Sequence, residues 1–260
     1  MVATKSPYYR AIGKEEEVFR SAYKCKLPLL LKGPTGCGKT RLVEKMANEL
    51  STRLVQVVCN EDTSATDLLG RYLLKGGDTI WQEGPVTRAV REGHFLYLDE
   101  IAEAREDVVV LLHSLSDHRR QLFLDRSHES IAAPDAFQLI ISFNPGYQTR
   151  MRRLKPSTRQ RFVSLELSYP PVEIETEILA AETGANLSLC KSLAQLALRI
   201  RNMSELQLDE TVSTRLLVNT ALLIKQGLAP RLSADVGIVQ ALTDDLEVAQ
   251  PLKDLVSLHL

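Results

Sequence analysis

The chain has 260 residues, of which 44% are hydrophobic, so it is long enough to bury one large core, or a main core and a smaller one. Its formal net charge of −1 argues against a dedicated nucleic-acid binder, and its apolar runs are too short to span a membrane. The first ten residues are not followed by a long apolar run, so we expect no signal peptide and a cytoplasmic protein.

The first predicted strand leads into a glycine-rich loop and then a helix. Residues 27–31 are an apolar run typical of a buried strand, and residues 41–50 carry apolar side chains at helical spacing. Between them the chain matches G-x-x-x-x-G-K-[ST], where glycines let backbone N–H groups approach phosphate oxygens. The match predicts a nucleotide-binding loop, the alternative being a glycine-rich turn without a ligand. The predicted nucleotide-binding residues are Gly33, Pro34, Thr35, Gly36, Cys37, Gly38, Lys39, Thr40 and Arg41.

Two residues of this loop have specific predicted roles. Lys39 is expected to reach the β- and γ-phosphates, and the Thr40 hydroxyl is expected to bind Mg²⁺. The helix that begins near Lys39 points its partial positive charge at the same phosphates.

A second strand and a hairpin are predicted next. Residues 53–60 are rich in valine and are typical of a strand, and a helix-like stretch follows at 64–69. Gly76-Gly-Asp78 between short apolar runs predicts a hairpin turn within residues 72–82. Helical spacing returns at residues 84–92.

The third predicted strand, residues 94–98, ends in two carboxylates. In an open parallel sheet, the carboxyl end of a strand faces the ligand crevice. We therefore expect Asp99 to help hold Mg²⁺ and Glu100 to position and polarise an attacking water. The alternative is a strand that ends in an acidic turn without a chemical role.

The remaining strands complete an α/β pattern. An amphipathic helix is predicted at about 105–117, followed by two short strand candidates. Residues 137–143 form the fourth buried strand, which ends at Asn144, and residues 162–167 form the fifth. Strands that alternate with helices predict a parallel sheet covered by helices on both faces. The two short strand candidates are residues 121–124 and 129–132.

The pattern changes at Tyr169-Pro-Pro171, after which we find only helical periodicity. We therefore predict an α/β ATP-binding core over residues 1–169 and a small α-helical lid over residues 170–260. The helical apolar positions in the lid include Ile174, Ile178, Leu179, Leu189, Leu193, Leu196, Ile200, Leu216, Leu217, Ala221, Ile224, Val236, Val239 and Leu242.

The loop, the Asp99-Glu100 pair and the segment Ile140-Ile-Ser-Phe-Asn144 together resemble the core of AAA+ ATPases, whose cofactors are ATP and Mg²⁺. The resemblance implies a P-loop fold with a parallel sheet between helices and a helical lid. In that family an asparagine at the position of Asn144 is sensor 1, which contacts the γ-phosphate and the attacking water.

Three arginines match further positions of the AAA+ pattern. Arg159 and Arg161 lie in the arginine-finger region, where a guanidinium completes the active site of the neighbouring subunit. Arg161 fits the usual position better, because an apolar residue follows it directly, and Arg159 is a second finger or a structural partner. Arg215 resembles sensor 2, which reports the γ-phosphate to the lid. Each arginine taken singly has an ordinary surface salt bridge as its alternative.

The resemblance extends to the MoxR-type ATPases and, within them, to the CbbQ/NirQ/NorQ group. Hairpin-like insertions at about 70–83 and 119–134 look like the helix-2 insert and the pre-sensor-1 hairpin of that clade. The segments that resemble the CbbQ/NirQ/NorQ group are residues 29–41, 144–148 and 154–162, with Pro7-Tyr-Tyr9 near the start.

Membership implies a ring-forming homo-oligomer, expected to be a hexamer, that remodels a client with a partner bearing a von Willebrand factor A domain of the CbbO type. CbbQ members reactivate Rubisco by expelling inhibitory sugar phosphates, whereas NirQ and NorQ members mature nitric oxide reductase. Rubisco is the leading expected client, with nitric oxide reductase as the alternative. A nucleic-acid motor is a third hypothesis, which the near-neutral charge disfavours.

The first insert is expected to line the pore or the upper face of such a ring. Leu73, Leu74, Ile80 and Trp81 are candidates for gripping a client, with Trp81 packed in the core as the alternative. The four cysteines are scattered, which predicts reduced thiols and no zinc site or disulfide framework.

Overall fold

The computed structural model describes residues 8–124, 128–145, 154–203, 208 and 210–260. These residues fall into two compact units. One contains residues 13–33 and 39–166, and the other contains residues 8–12, 34–38 and 167–260. None of the helices in these described ranges is long and apolar enough to cross a membrane.

The first unit is built on a five-stranded parallel sheet, as the sequence predicts. The strands of this unit are β1 (Leu29–Lys32), β2 (Leu54–Val58), β3 (Gly70–Lys75), β4 (Asp78–Glu83), β5 (Phe95–Asp99), β6 (Gln121–Leu124), β7 (Glu129–Ala132), β8 (Gln138–Phe143) and β9 (Val163–Glu166). The order in the sheet is β2-β5-β8-β1-β9.

The three central strands carry the core of this unit. Every residue of β8 is buried, as are all but the last residues of β1 and β5, whereas the edge strands β2 and β9 are largely half-exposed. Central strands of a parallel sheet are covered on both faces, which is why their sequences are continuous apolar runs. The carboxyl ends of β5, β8 and β1 consequently lie side by side at one edge of the sheet.

Short sequence signals fix the helices of this unit. Ser64 caps α3 and exchanges hydrogen bonds with Asp67, which forms a capping box. Helix α4 (Pro85–Glu92) begins with a proline and is followed by Gly93, a glycine in the left-handed conformation. Among the described residues, the helices of this unit are α1 (Glu15–Lys24), α2 (Lys39–Glu49), α3 (Ala65–Leu69), α4 (Pro85–Glu92), α5 (Glu106–Leu115) and α6 (Pro156–Arg159), and a 3₁₀ turn lies at Ile101–Glu103.

Both hairpins predicted from the sequence are present. Strands β3 and β4 pair antiparallel around Gly76 and Gly77, which both have positive φ. Strands β6 and β7 also pair antiparallel. Trp81 is half-buried within the first hairpin, where its ring meets the ring of Tyr72 edge-on at 5.0 Å.

In the part that the structure describes, the second unit consists of helices and loops without a strand. Its core joins buried residues of five helices and a π-helical turn, including Leu193, Leu217, Val239 and Leu252. The helices are α7 (Val172–Thr183), α8 (Leu187–Arg201), α9 (Thr214–Lys225), α10 (Pro230–Ala234), α11 (Gln240–Leu242) and α12 (Leu246–His259), with a π-helical turn at Asp235–Val239 between α10 and α11.

Two features of the helical faces in this unit were not predicted from the sequence. Val236 is 41% exposed although Val239 is fully buried, because the π-helical turn changes the number of residues per turn there. In α7 the buried residues are Glu175, Leu179 and Thr183, so a carboxylate is buried beside the predicted apolar position Leu179, whereas Ile174 and Ile178 are half-buried.

Residues 34–38 pack against the start of α9 within this second unit. Gly36 has a φ of 69°, and a Cβ placed on it would lie 2.7 Å from Cβ of Ser213. Ser213 is the N-cap of α9, and its Oγ accepts a hydrogen bond from the amide of Leu216. The close approach of backbone to helix start therefore requires glycine at position 36.

We predict that Gly36→Ala lowers the thermal stability of the protein more than Gly227→Ala does. Gly227 lies in the same unit with a φ of 99°, but a Cβ there would meet nothing within 4 Å. Both variants incur about 1–2 kcal/mol for alanine in the left-handed region. Only Gly36→Ala adds an overpacking cost of about 1–3 kcal/mol.

Scanning calorimetry measures the difference between these two variants. Adding Ser213→Gly to Gly36→Ala should restore part of the lost stability, since glycine is accepted at an N-cap. Equal melting temperatures for Gly36→Ala and Gly227→Ala would contradict the close packing.

Candidate functional site

The predicted nucleotide loop joins β1 directly to α2. Gly38 has a φ of 101°, a conformation that glycine adopts without strain, and α2 begins at the next residue, Lys39. Nζ of Lys39 donates a hydrogen bond to the carbonyl oxygen of Gly33 at 2.8 Å. The half-buried ammonium group therefore lies over the backbone of its own loop.

Thr40 lies next to the first of the two predicted carboxylates. Its Oγ1 is 3.3 Å from Oδ2 of Asp99, the last residue of β5. A hydroxyl and a carboxylate at this separation offer the oxygen ligands that Mg²⁺ prefers. The residues therefore fit a magnesium ion chemically.

Two further hydroxyl groups hold the same carboxylate. The hydroxyl of Tyr97 donates to Oδ1 of Asp99 at 2.8 Å, and Oγ of Ser142 also donates to Oδ1. Burial raises the pKa of Tyr97, and the charge of Asp99 raises it further, so this hydroxyl keeps its proton. Asp99 is thus oriented by side chains from its own strand and from β8.

Glu100 follows Asp99 in an unusual backbone conformation. Its φ is 56° and its ψ is 44°, which places a residue with a side chain in the left-handed region. Its amide donates to Oγ of Ser142 at 3.1 Å, and its side chain is exposed. Such strain concentrates at functional sites, where the surroundings hold it in place.

Asn144 directly follows β8 and is half-buried. Because β8 pairs in parallel with both β1 and β5, Asn144 lies at the same edge of the sheet as the start of the loop and Asp99-Glu100. The structure thus brings Lys39, Thr40, Asp99 and Glu100 to one edge together with Asn144.

Three neighbours of this site were not identified from the sequence. Tyr97 could have been, because side chains two residues apart on a strand share a face, and it precedes Asp99 by two. The contact of Ser142 with Asp99 depends on the register between β5 and β8, which the sequence does not give.

Cys59 is the third neighbour. Its amide donates a hydrogen bond to the carbonyl oxygen of Asp99, and burial raises the pKa of its thiol to about 12. The thiol is therefore neutral and a poor ligand or nucleophile.

Arg161 contacts residues at the end of α5, and Arg159 is the last residue of α6. Nη1 of Arg161 donates to the carbonyl of His113 at 3.3 Å and is 3.9 Å from Oδ2 of Asp117. His113 also contacts Thr158 at 3.1 Å. Burial lowers the pKa of His113, and the charge of Arg161 lowers it further. Both arginine side chains are exposed on the surface of the first unit.

The loop residues of the second unit have their own partners. Oγ1 of Thr35 donates to Oε1 of Glu210 at 2.6 Å, and the Tyr169 hydroxyl donates to the Thr35 carbonyl at 2.9 Å. Arg215 is exposed on the first turn of α9, and its Cβ would be 3.5 Å from a Cβ on Gly36. Glu210 and Tyr169 were not identified from the sequence.

The other predicted loop residues differ in exposure. Pro34 is half-buried, the thiol of Cys37 is buried, and Arg41 is exposed, with its Nη1 3.6 Å from Oε2 of Glu44. A surface pair of this kind contributes little to stability.

Profiles of known families match most of the chain. The profile of the family described as "AAA domain (dynein-related subfamily)" matches residues 28–162. The profile described as "CbbQ/NirQ/NorQ C-terminal" matches residues 175–259.

Curated relatives cover nearly the whole chain. A denitrification regulatory protein NirQ from Pseudomonas aeruginosa is 48% identical over 98% of this chain and 98% of its own length. Protein CbbQ from Hydrogenophilus thermoluteolus is 47% identical over 95% of this chain and 92% of its own. Protein NorQ from Paracoccus denitrificans is 50% identical over 97% of this chain and 94% of its own.

Solved structures share the fold at low sequence identity. Two variants of RuvB from Thermotoga maritima align with TM-scores of 0.54 and 0.52 at 19% and 18% identity. Both alignments cover 94% of this chain, and they cover 70% and 71% of the RuvB chains. From its P-loop geometry, its sheet order and these matches, the chain belongs to the AAA+ ATPases, in the MoxR-type CbbQ/NirQ/NorQ group.

Proposed function

We propose that the protein hydrolyses ATP to ADP and phosphate with Mg²⁺. The observation that carries the proposal is the contact between Thr40 and Asp99 at the sheet edge where Lys39 begins α2. This arrangement puts a cation, a helix start and two oxygen ligands where a P-loop nucleotide needs them. Membership in an ATPase family supports the same conclusion.

Each residue of the site has a separate proposed role. The backbone of residues 33–38 and the start of α2 bind the phosphates, and Lys39 contacts the β- and γ-phosphates. Thr40 and Asp99 would hold the magnesium ion, which neutralises charge on the phosphate oxygens when bound. The hydroxyls of Tyr97 and Ser142 keep Asp99 pointed at that position.

Glu100 is the proposed general base. Its carboxylate polarises the attacking water, and the hydrogen bond from its amide to Ser142 fixes the turn that presents it. Asn144, one strand away, orients the same water and the γ-phosphate. We expect the leaving ADP oxygen to be stabilised by Lys39.

The site is completed by a neighbouring copy of the chain in a ring, proposed to be a hexamer. Arg161 is the proposed finger and Arg159 is the alternative, and both are exposed, as a residue that serves another protomer must be. The weak 3.9 Å pairing of Arg161 with Asp117 is readily exchanged for a phosphate. Arg215 is the proposed sensor 2.

We further propose that the ring remodels a client enzyme together with a partner that bears a von Willebrand factor A domain of the CbbO type. The exposed apolar side chains of the β3–β4 hairpin support this role, since Leu74 is 82% exposed and Ile80 is 42% exposed. Trp81 packs on Tyr72 and is proposed to stiffen the hairpin.

Two clients remain candidates. Rubisco with a bound inhibitory sugar phosphate is the client proposed from the resemblance to CbbQ proteins, and nitric oxide reductase is the one proposed from the resemblance to NirQ and NorQ proteins. Identities of 47%, 48% and 50% to CbbQ, NirQ and NorQ relatives favour neither. Assaying both enzymes with the purified chain and the partner tests the choice.

We predict that Glu100→Gln binds ATP but turns it over about 10²- to 10⁴-fold more slowly, because the amide cannot accept the proton of the attacking water. Phosphate release measures turnover, and titration with a fluorescent ATP analogue measures binding. Glu103→Gln is the matched control, a half-buried carboxylate three residues further on that should leave turnover within about twofold. Wild-type turnover in Glu100→Gln would remove this residue from the mechanism.

We predict that Lys39→Ala and Arg161→Ala are each inactive alone and regain turnover when mixed. Some interfaces of a mixed ring pair an intact loop with an intact finger, whereas loss of the finger alone should cost about 10³-fold or more. The same mixing experiment with Arg159→Ala decides between the two arginines. Failure of both mixtures to recover any turnover would contradict a shared site.

We predict that Leu74→Glu keeps ATPase activity within about twofold but lowers client activation at least about tenfold, because a charge replaces an exposed apolar contact. Thr79→Glu is the matched control, since Thr79 is exposed and pairs with Leu74 across the same hairpin. Client activation by Leu74→Glu at the wild-type level would exclude the hairpin as the client contact.

A further inference from the structure

A buried carboxylate lies at the centre of the helical unit. Glu175, on the first turn of α7, has a side chain that is 1% exposed. Oε2 accepts a hydrogen bond from Nη1 of Arg201 at 2.8 Å, and Oε1 accepts one from Nη2 at 2.8 Å. Oε1 also accepts a hydrogen bond from Oγ1 of Thr214 at 2.6 Å. The carboxylate is thus satisfied by one bidentate arginine and one hydroxyl.

Arg201, the last residue of α8, makes two further contacts. Its Nε donates to the carbonyl oxygen of Val212 at 2.9 Å. Its guanidinium carbon lies 4.0 Å from the centre of the Tyr169 ring, a cation–π arrangement. Every nitrogen of the guanidinium group therefore has an acceptor, while its face rests on an aromatic ring.

These contacts converge on the start of α9. Arg201 holds the carbonyl of Val212, and Glu175 holds the side chain of Thr214. The residue between them, Ser213, caps the helix and lies against Gly36. Arg215 comes next in the chain, so the backbone from which it projects is held on both sides of the cap.

The same assembly reaches residue 35 of the nucleotide loop. The Tyr169 hydroxyl donates to the Thr35 carbonyl at 2.9 Å, on the ring that supports Arg201. Burial raises the pKa of Tyr169, so the hydroxyl keeps the proton that it donates. Thr35 is held a second time through its own hydroxyl, which donates to Glu210 at 2.6 Å.

Stability alone does not account for a buried ion pair. Removing two charges from water costs about as much as their attraction returns, and well-packed apolar residues often serve as well. What bidentate and charge-assisted hydrogen bonds add is a defined direction. Here these hydrogen bonds hold Thr35 and the segment that carries Arg215.

We infer that Glu175, Arg201, Tyr169 and Thr214 are positioning residues that fix Thr35 of the phosphate loop and the start of α9, with Arg215, in one arrangement. The inference rests on the proposed ATPase function. Loss of the Tyr169 hydroxyl loosens the loop and weakens nucleotide binding. Loss of the Thr214 hydroxyl displaces the base of Arg215 and slows turnover.

Two conservative variants test the inference, because each removes a single hydroxyl and leaves the ion pair in place. Tyr169→Phe keeps the ring beneath Arg201, and Thr214→Val keeps the side-chain volume. The matched control is Thr220→Val, which removes a buried hydroxyl from the same helix, where it donates only locally to the carbonyl of Leu216 at 2.8 Å. Melting temperatures report whether each variant folds.

We expect Tyr169→Phe to weaken the binding of ATP about three- to tenfold, the value of one hydrogen bond. We expect Thr214→Val to lower kcat about three- to tenfold in the wild-type background and to have no further effect in an Arg215→Ala background. Thr220→Val should leave affinity and kcat within about twofold, even where it lowers the melting temperature equally.

The outcomes separate this inference from the proposed function. If the wild-type protein hydrolyses ATP while Tyr169→Phe and Thr214→Val behave like Thr220→Val, or if Thr214→Val slows turnover equally with and without Arg215, the positioning role is wrong. If the wild-type protein releases no phosphate, the proposed function fails, and amide hydrogen exchange still decides the positioning role. Exchange in peptides covering residues 33–38 and 212–216 should be faster in Tyr169→Phe and Thr214→Val than in Thr220→Val, and equal rates would overturn it.

Discussion

Three hydroxyl groups, from Thr40, Tyr97 and Ser142, surround the carboxylate of Asp99. The arrangement depends on the strand order, because β5 pairs with β8 and β8 pairs with β1, which feeds the loop before Thr40. A carboxylate held by several donors keeps one orientation, which a cation site needs. The sheet therefore sets the geometry of the site as well as stabilising the fold.

A second constraint operates in the helical unit, where residues 34–38 of the same loop lie against the start of α9. Gly36 permits this approach because it has no Cβ, and the buried Glu175–Arg201 pair holds the backbone on either side of Ser213. Residues 35 and 36 of the loop are thus held within the helical unit. Rigid support of this kind is what phosphate recognition through backbone groups requires.

Much of the fold could be predicted from the sequence because its signals are local. Apolar runs marked the strands of the sheet, Gly76-Gly77 marked a hairpin, and the loop motif marked the start of α2. Residues that act through distant partners could not be found in this way. Glu175 and Arg201 are 26 residues apart in the chain, and a carboxylate in α7 gives no sign of being buried until α8 packs against it.

Ser142 and Val236 show two other limits of prediction. The role of Ser142 depends on the register of β8 against β5, which side-chain periodicity does not specify for strands buried on both faces. Val236 fits an apolar helical face only if the helix is regular, and the π-helical turn at Asp235–Val239 turns it outward. The sequence carries no strong signal for either feature.

The most direct test follows phosphate release from ATP by the purified chain, assembled with the proposed partner, while Mg²⁺ is added and then removed with a chelator. We expect release that requires Mg²⁺ and stops when the metal is chelated, because Thr40 and Asp99 are its proposed protein ligands. Absence of phosphate release under these conditions, or release that continues unchanged without a divalent cation, would contradict this proposal.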